Sequence, residues 1–134
     1  MKPTAIPEKM LSQDAFSSWL GIEILEVSLG KCKIGLKIRR EMLNSMQKAH
    51  GGITYALADT AFGFAANTYG NYAVSIETSI NHIETLHEND YITAESTVEV
   101  TKNKLGFHFV ELKKGDKIVA LFKGVVYRTS KEWE

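Results

Sequence analysis

The chain has 134 residues, of which 44% are hydrophobic and 24% are charged, and its 16 basic residues balance 16 acidic ones. This length suits one domain with a sizeable core, so we expect a single domain over residues 1–134. Without a basic excess, nucleic-acid binding is not expected. No apolar run is long enough for a membrane span, and the N-terminus lacks the apolar segment of a signal peptide, which favours a cytoplasmic location.

The N-terminal part of the chain predicts a short helix and a hairpin. Residues 1–7 contain both prolines and are expected to form a loose lead-in, while residues 8–19 carry apolar side chains near helical spacing. Strands are predicted at about 22–29 and 32–39, the second with strict apolar and polar alternation. Cys32 falls on the apolar face of that strand, which indicates a buried structural thiol rather than a nucleophile.

A long apolar stretch at residues 51–68 predicts the main helix, preceded by a connection over residues 40–50. The stretch is apolar on nearly every side, which is typical of a helix buried in a core. Gly63 weakens such a helix by about 1 kcal/mol relative to alanine. Its presence indicates close backbone packing or a neighbour that needs room.

Asp59 is the only carboxylate in this predicted helix. An unpaired carboxylate in an apolar setting costs several kcal/mol or takes up a proton, so it needs a hydrogen-bond partner in the core or a function. Gly51 and Gly52 begin the helix, where backbone N–H groups lack intrahelical partners and the dipole is positive. These N–H groups suit an oxyanion, although tight packing explains the glycines equally well.

The rest of the chain predicts four strands, at 72–83, 91–101, 105–113 and 117–127, from their alternating patterns. With the hairpin they make a six-stranded antiparallel sheet. We therefore expect an α+β domain in which this sheet wraps around one long helix and covers it on all sides.

The segment around the helix start resembles a known family. Asn44, then His50-Gly51-Gly52, then Leu57-Ala58-Asp59-Thr60-Ala61 are similar to the hotdog-fold acyl-CoA thioesterases of the phenylacetate-pathway (PaaI-like) type. Looser similarity extends from about residue 16 to residue 127. The resemblance implies a hotdog fold and hydrolysis of a small, medium or aryl acyl-CoA to the acid and CoA. It also implies a homo-oligomer that is at least a dimer, and we expect a homotetramer. No metal and no cofactor are expected, because the CoA is part of the substrate.

The resemblance assigns roles to several residues. The backbone N–H of Gly51, with Gly52 as a second candidate, would polarise the thioester carbonyl. Asp59 lies about 12 Å further along the helix, so it would act on the opposite subunit's site as nucleophile or general base. Asn44 would hold the water or the thioester, unless it only shapes a turn. His50 would orient the loop or contact the leaving group.

Other assignments are less determined by the sequence. Ser75 matches a strand hydroxyl that some relatives use, yet the alternation of Val74, Ile76 and Ile80 places it on the other face of its strand. Many relatives carry an aromatic residue and a proline-containing loop where this chain has residues 81–88, which leaves the substrate class open. We expect further substrate contacts at Thr60, His82, Thr85, Lys102 and Lys104, although surface lysines are usually only solvated.

Two other functions are compatible with the sequence. A hotdog hydratase or dehydratase would use a catalytic histidine, for which His50 is available. A non-catalytic acyl-CoA-binding domain would keep the pocket without the chemistry.

Overall fold

The computed structural model describes residues 1–134 as one antiparallel sheet with a long helix packed on it. The helices are α1 (Ile6–Ser12), α2 (Ala15–Leu20) and α3 (Gly51–Asn67), and the strands are β1 (Glu23–Ser28), β2 (Lys31–Lys37), β3 (Asn71–His82), β4 (Tyr91–Lys102), β5 (Leu105–Lys114) and β6 (Lys117–Glu132). Their order in the sheet is β1-β2-β4-β5-β6-β3. The predicted α+β fold with six strands around one long helix is confirmed.

The core lies between α3 and the face of the sheet that packs on it. Leu57, Ala61 and Phe62 of α3 are fully buried there. Gly124 of β6 leaves room for the Phe62 ring, because a Cβ at this position would stand 2.6 Å from a ring carbon. No helix is both long and apolar enough to cross a membrane.

One side of α3 is not covered by its own chain, contrary to the expected complete burial. Tyr55 is 37% exposed, and Ala56, Asp59, Thr60 and Gly63 are partly exposed beside it. We call these five residues the open stripe. A Cβ on Gly63 would have no other atom within 4 Å, so no neighbour within the chain requires a glycine at this position.

The N-terminal segment differs from the expected loose lead-in. Residues 3–5 form a short 3₁₀-helix, and Ile6 is only 1% exposed at the start of α1, which packs against α3. The single predicted helix is two helices, because the side chain of Asp14 accepts the backbone N–H of Ser17 and caps a new one. Cys32 is buried as predicted, and burial raises its pKa to about 12.

Strand β3 lies at one edge of the sheet and contains a bulge between Ser75 and Glu77. A bulge adds one residue and reverses the side-chain alternation beyond it. Before the bulge, Ala73 packs on the core and Val74 faces outward; after it, Ile80 packs on the core. The predicted common face of Val74 and Ile80 is therefore wrong, and Ser75 shares its side of the strand with Ala73.

Candidate active site at the start of α3

A pocket of about 210 Å³ opens at the N-terminal end of α3. The first turn of α3 forms one wall, the loop before it forms a second wall, and the end of β3 with the following segment forms a third. The lining residues that carry polar groups are Asn44, Lys48, Gly51, Thr54, His82, Glu84 and Thr85. Four residues singled out from the sequence, Asn44, Gly51, His82 and Thr85, therefore meet here.

The helix start leaves one backbone donor free. His50 is the N-cap residue, and its Nδ1 accepts the N–H of Gly52 at 2.9 Å. The N–H of Ile53 donates to the His50 carbonyl oxygen at 2.9 Å. The N–H of Gly51 makes no hydrogen bond within the chain. Of the two glycines, Gly51 is thus the available oxyanion donor, because the N–H of Gly52 is already occupied.

Asn44 organises the loop that faces Gly51 across the pocket. Its side-chain oxygen accepts the N–H groups of Met46 at 2.9 Å and Lys48 at 3.1 Å. This is the turn chemistry considered as the alternative for this residue. The side-chain amide nitrogen of Asn44 makes no hydrogen bond within the chain. It is therefore the group of Asn44 that can donate to a ligand in the pocket.

Thr54 joins the helix start to β3, and the sequence analysis did not single it out. Its hydroxyl oxygen lies 3.0 Å from the Gly51 carbonyl oxygen and 3.2 Å from Nδ1 of His82. Thr54 is only 5% exposed, so this arrangement is held by packing. The available signal was its position three residues after Gly51, which places both residues on one side of a helix.

Asp59 does not line the pocket. Eight residues of α3 place it about 12 Å from Gly51, on the open stripe. It has no hydrogen-bond partner within the chain, and partial burial raises its pKa above the usual value for aspartate. An uncompensated carboxylate of this kind is typical of functional sites.

The remaining predicted site residues lie elsewhere. Thr60 is next to Asp59 on the open stripe, and Ser75 is exposed on the edge strand β3. Lys102 ends β4 and Lys104 lies in the turn before β5. At this end of the sheet Arg128 donates to the Leu105 carbonyl oxygen and lies over the ring of Tyr69, which follows α3. Within one chain Thr60, Ser75 and the two lysines are not part of the pocket. No group of three or more His, Cys, Asp or Glu side chains is arranged to hold a metal ion.

Residues 46–120 match the thioesterase superfamily, a segment that includes all of α3 and every residue that lines the pocket except Asn44. The chain belongs to the thioesterase superfamily. It is 33% identical over 120 residues to the acyl-coenzyme A thioesterase PaaI of Escherichia coli. The aligned segment covers 89% of this chain and 86% of that protein. This thioesterase is therefore a PaaI-like member with the hotdog fold, and its reaction class is hydrolysis of a thioester.

Solved structures agree with this membership. The structure of the E. coli PaaI protein matches with a TM-score of 0.94 and 31% identity, over 98% of this thioesterase and 96% of that chain. A mutant of the phenylacetic acid degradation protein PaaI from Thermus thermophilus matches with a TM-score of 0.84 and 32% identity, over 87% of this thioesterase and 100% of that chain.

Proposed function

We propose that this protein hydrolyses a small, medium or aryl acyl-CoA to the acid and free CoA. The observation that carries the proposal is the unoccupied N–H of Gly51 at the pocket, together with an unpartnered carboxylate on the same helix. Gly51 would donate to the carbonyl oxygen of the thioester, where negative charge develops during attack. Thioester chemistry of this type needs no metal or redox cofactor.

The second half of the site would come from another copy of the chain. Gly51, Tyr55 and Asp59 follow one another at four-residue spacing, which places them along one side of α3. If two α3 helices lie antiparallel about a two-fold axis near Tyr55, Gly51 of each copy faces Asp59 of the partner subunit. That carboxylate would act as nucleophile or as the general base that activates water.

Two exposed surfaces support a homo-oligomer. β3 is an edge strand of twelve residues whose backbone groups on the side away from β6 have no partner strand, and such an edge is usually paired or covered. On the outer face of the sheet, apolar residues are neighbours across β3, β6, β5 and β4: Val74, Tyr127, Val125, Phe107 and Val100. We assign the edge and the open stripe to a dimer and the outer face to a dimer of dimers, and sedimentation would detect a tetramer. An active monomer would contradict this assignment.

The test of the proposed function is thiol release from a panel of acyl-CoA substrates. Asp59→Asn should lower turnover by orders of magnitude, whereas Asp116→Asn, in the exposed β5–β6 turn, should leave it unchanged. Because burial raises the pKa of Asp59, activity should fall with decreasing pH earlier than for an ordinary aspartate. Unchanged turnover of folded Asp59→Asn would refute the assigned role.

The same panel separates the alternatives. With crotonyl-CoA, loss of the enoyl absorbance without free thiol would indicate a hydratase. Tight acyl-CoA binding without any thiol release would indicate a binding domain.

A further inference from the structure

An imidazole stands beside the proposed oxyanion donor. His82 is the last residue of β3, and its Nε2 lies 3.4 Å from the point where a Cβ on Gly51 would stand. Because the N and Cβ atoms of a residue are about 2.5 Å apart, Nε2 lies within about 6 Å of the Gly51 nitrogen. The two nitrogens are therefore close enough for one oxygen atom to lie about 3 Å from both, which is the length of a hydrogen bond.

The other ring nitrogen determines which tautomer faces the pocket. Nδ1 of His82 has one neighbouring polar group, the Thr54 hydroxyl at 3.2 Å. The same hydroxyl lies 3.0 Å from the Gly51 carbonyl oxygen, to which it can donate instead. The hydroxyl hydrogen can rotate between these two acceptors, and when it turns to Nδ1 the ring proton of His82 is on Nε2. Nε2 is the ring nitrogen that lies beside Gly51 at the pocket.

We propose that His82 is a catalytic residue, whose Nε2–H donates a second hydrogen bond to the thioester carbonyl oxygen beside the N–H of Gly51. Thr54 is then a positioning residue that fixes the tautomer and the orientation of the ring. The inference rests on the proposed thioesterase function and adds to it a side-chain donor. Removal of one such donor lowers kcat by about 10²- to 10³-fold in well-studied enzymes.

Two substitutions of His82 separate the hydrogen bond from the shape of the ring. His82→Phe keeps a flat ring without a donor, and it should lower kcat about 10²-fold while KM changes less than about threefold. His82→Gln retains an N–H at similar reach and should stay within about tenfold of wild type. Thr54→Val should lower kcat through loss of the tautomer, and Thr54→Ser should restore it. A kcat of folded His82→Phe within twofold of wild type would overturn the proposal.

A spectroscopic measurement detects the bond itself. In an Asp59→Asn background, which blocks turnover, infrared difference spectra of a bound acyl-CoA labelled at the carbonyl carbon should show a lowered C=O stretching frequency. Adding His82→Phe should move that frequency back toward its value in solution, a change that a purely structural role would not produce. An unmoved frequency overturns the proposal. Absence of thiol release by the wild type would instead refute the thioesterase function itself.

Discussion

Two variants that each lack activity should restore it when their chains share a dimer. Gly51→Ala places a methyl group 3.4 Å from His82, over the space that the thioester oxygen needs, and should lower activity about 10²-fold. Asp59→Asn removes the proposed nucleophile or base. A dimer with one chain of each kind has one site built from intact Gly51 and intact Asp59 of the partner subunit, and a second site with both changes.

The expected magnitude follows from this geometry. The two positions are about 12 Å apart along α3, so they cannot serve one carbonyl carbon within a chain. A heterodimer purified through two different tags should therefore retain about half of the wild-type activity per dimer, and a random mixture should retain about a quarter. Each variant alone should stay near 1%.

Thiol release by the co-expressed and doubly purified heterodimer is the assay. Sedimentation of each variant alone confirms that both chains still fold and assemble. Activity of the heterodimer no greater than the mean of the two variants would refute the shared site, because sites contained within one chain cannot be repaired by mixing.

Three further predictions concern stability. Since burial raises the pKa of Asp59, its ionised form costs stability at pH 7, so Asp59→Asn should have a Tm at least equal to wild type there, and any advantage should vanish below about pH 4. A lower Tm of the variant at pH 7 would contradict this. Burial, and then the nearby Arg128, lowers the pKa of His108 to about 4. As the pH falls from about 6.5 to about 4, His108 is therefore protonated in the unfolded chain but not in the folded one. This difference lowers the free energy of unfolding by up to about 3 kcal/mol. Urea unfolding should show this decrease in the free energy of unfolding for the wild type and a smaller decrease for His108→Leu. Equal decreases would exclude His108 as the cause. Gly124→Ala should destabilise the fold by about 1–3 kcal/mol, because the new methyl group overlaps Phe62. Thermal melts without a decrease in Tm would show that the ring can move aside.

Most features with a local cause were predicted well from the sequence, although the local cap at Asp14 was missed. The long helix was expected at residues 51–68 and spans Gly51–Asn67, because its apolar composition and flanking glycines act within the segment. The N-terminal helix was less well predicted. Its break at Asp14 depends on a local cap, but the burial of Ile6 depends on α3, more than 40 residues away.

The sequence by itself determined the order of the elements, the helix start with its glycines and the isolated carboxylate of Asp59, because spacing, capping and apolar patterning are properties of neighbouring residues. Only the tertiary structure decided that the stripe around Asp59 stays open. It also brought His82 to Thr54 across 28 positions. That contact requires β3 to return along the helix and a bulge to reverse its alternation, and sheet register is set by packing between distant segments.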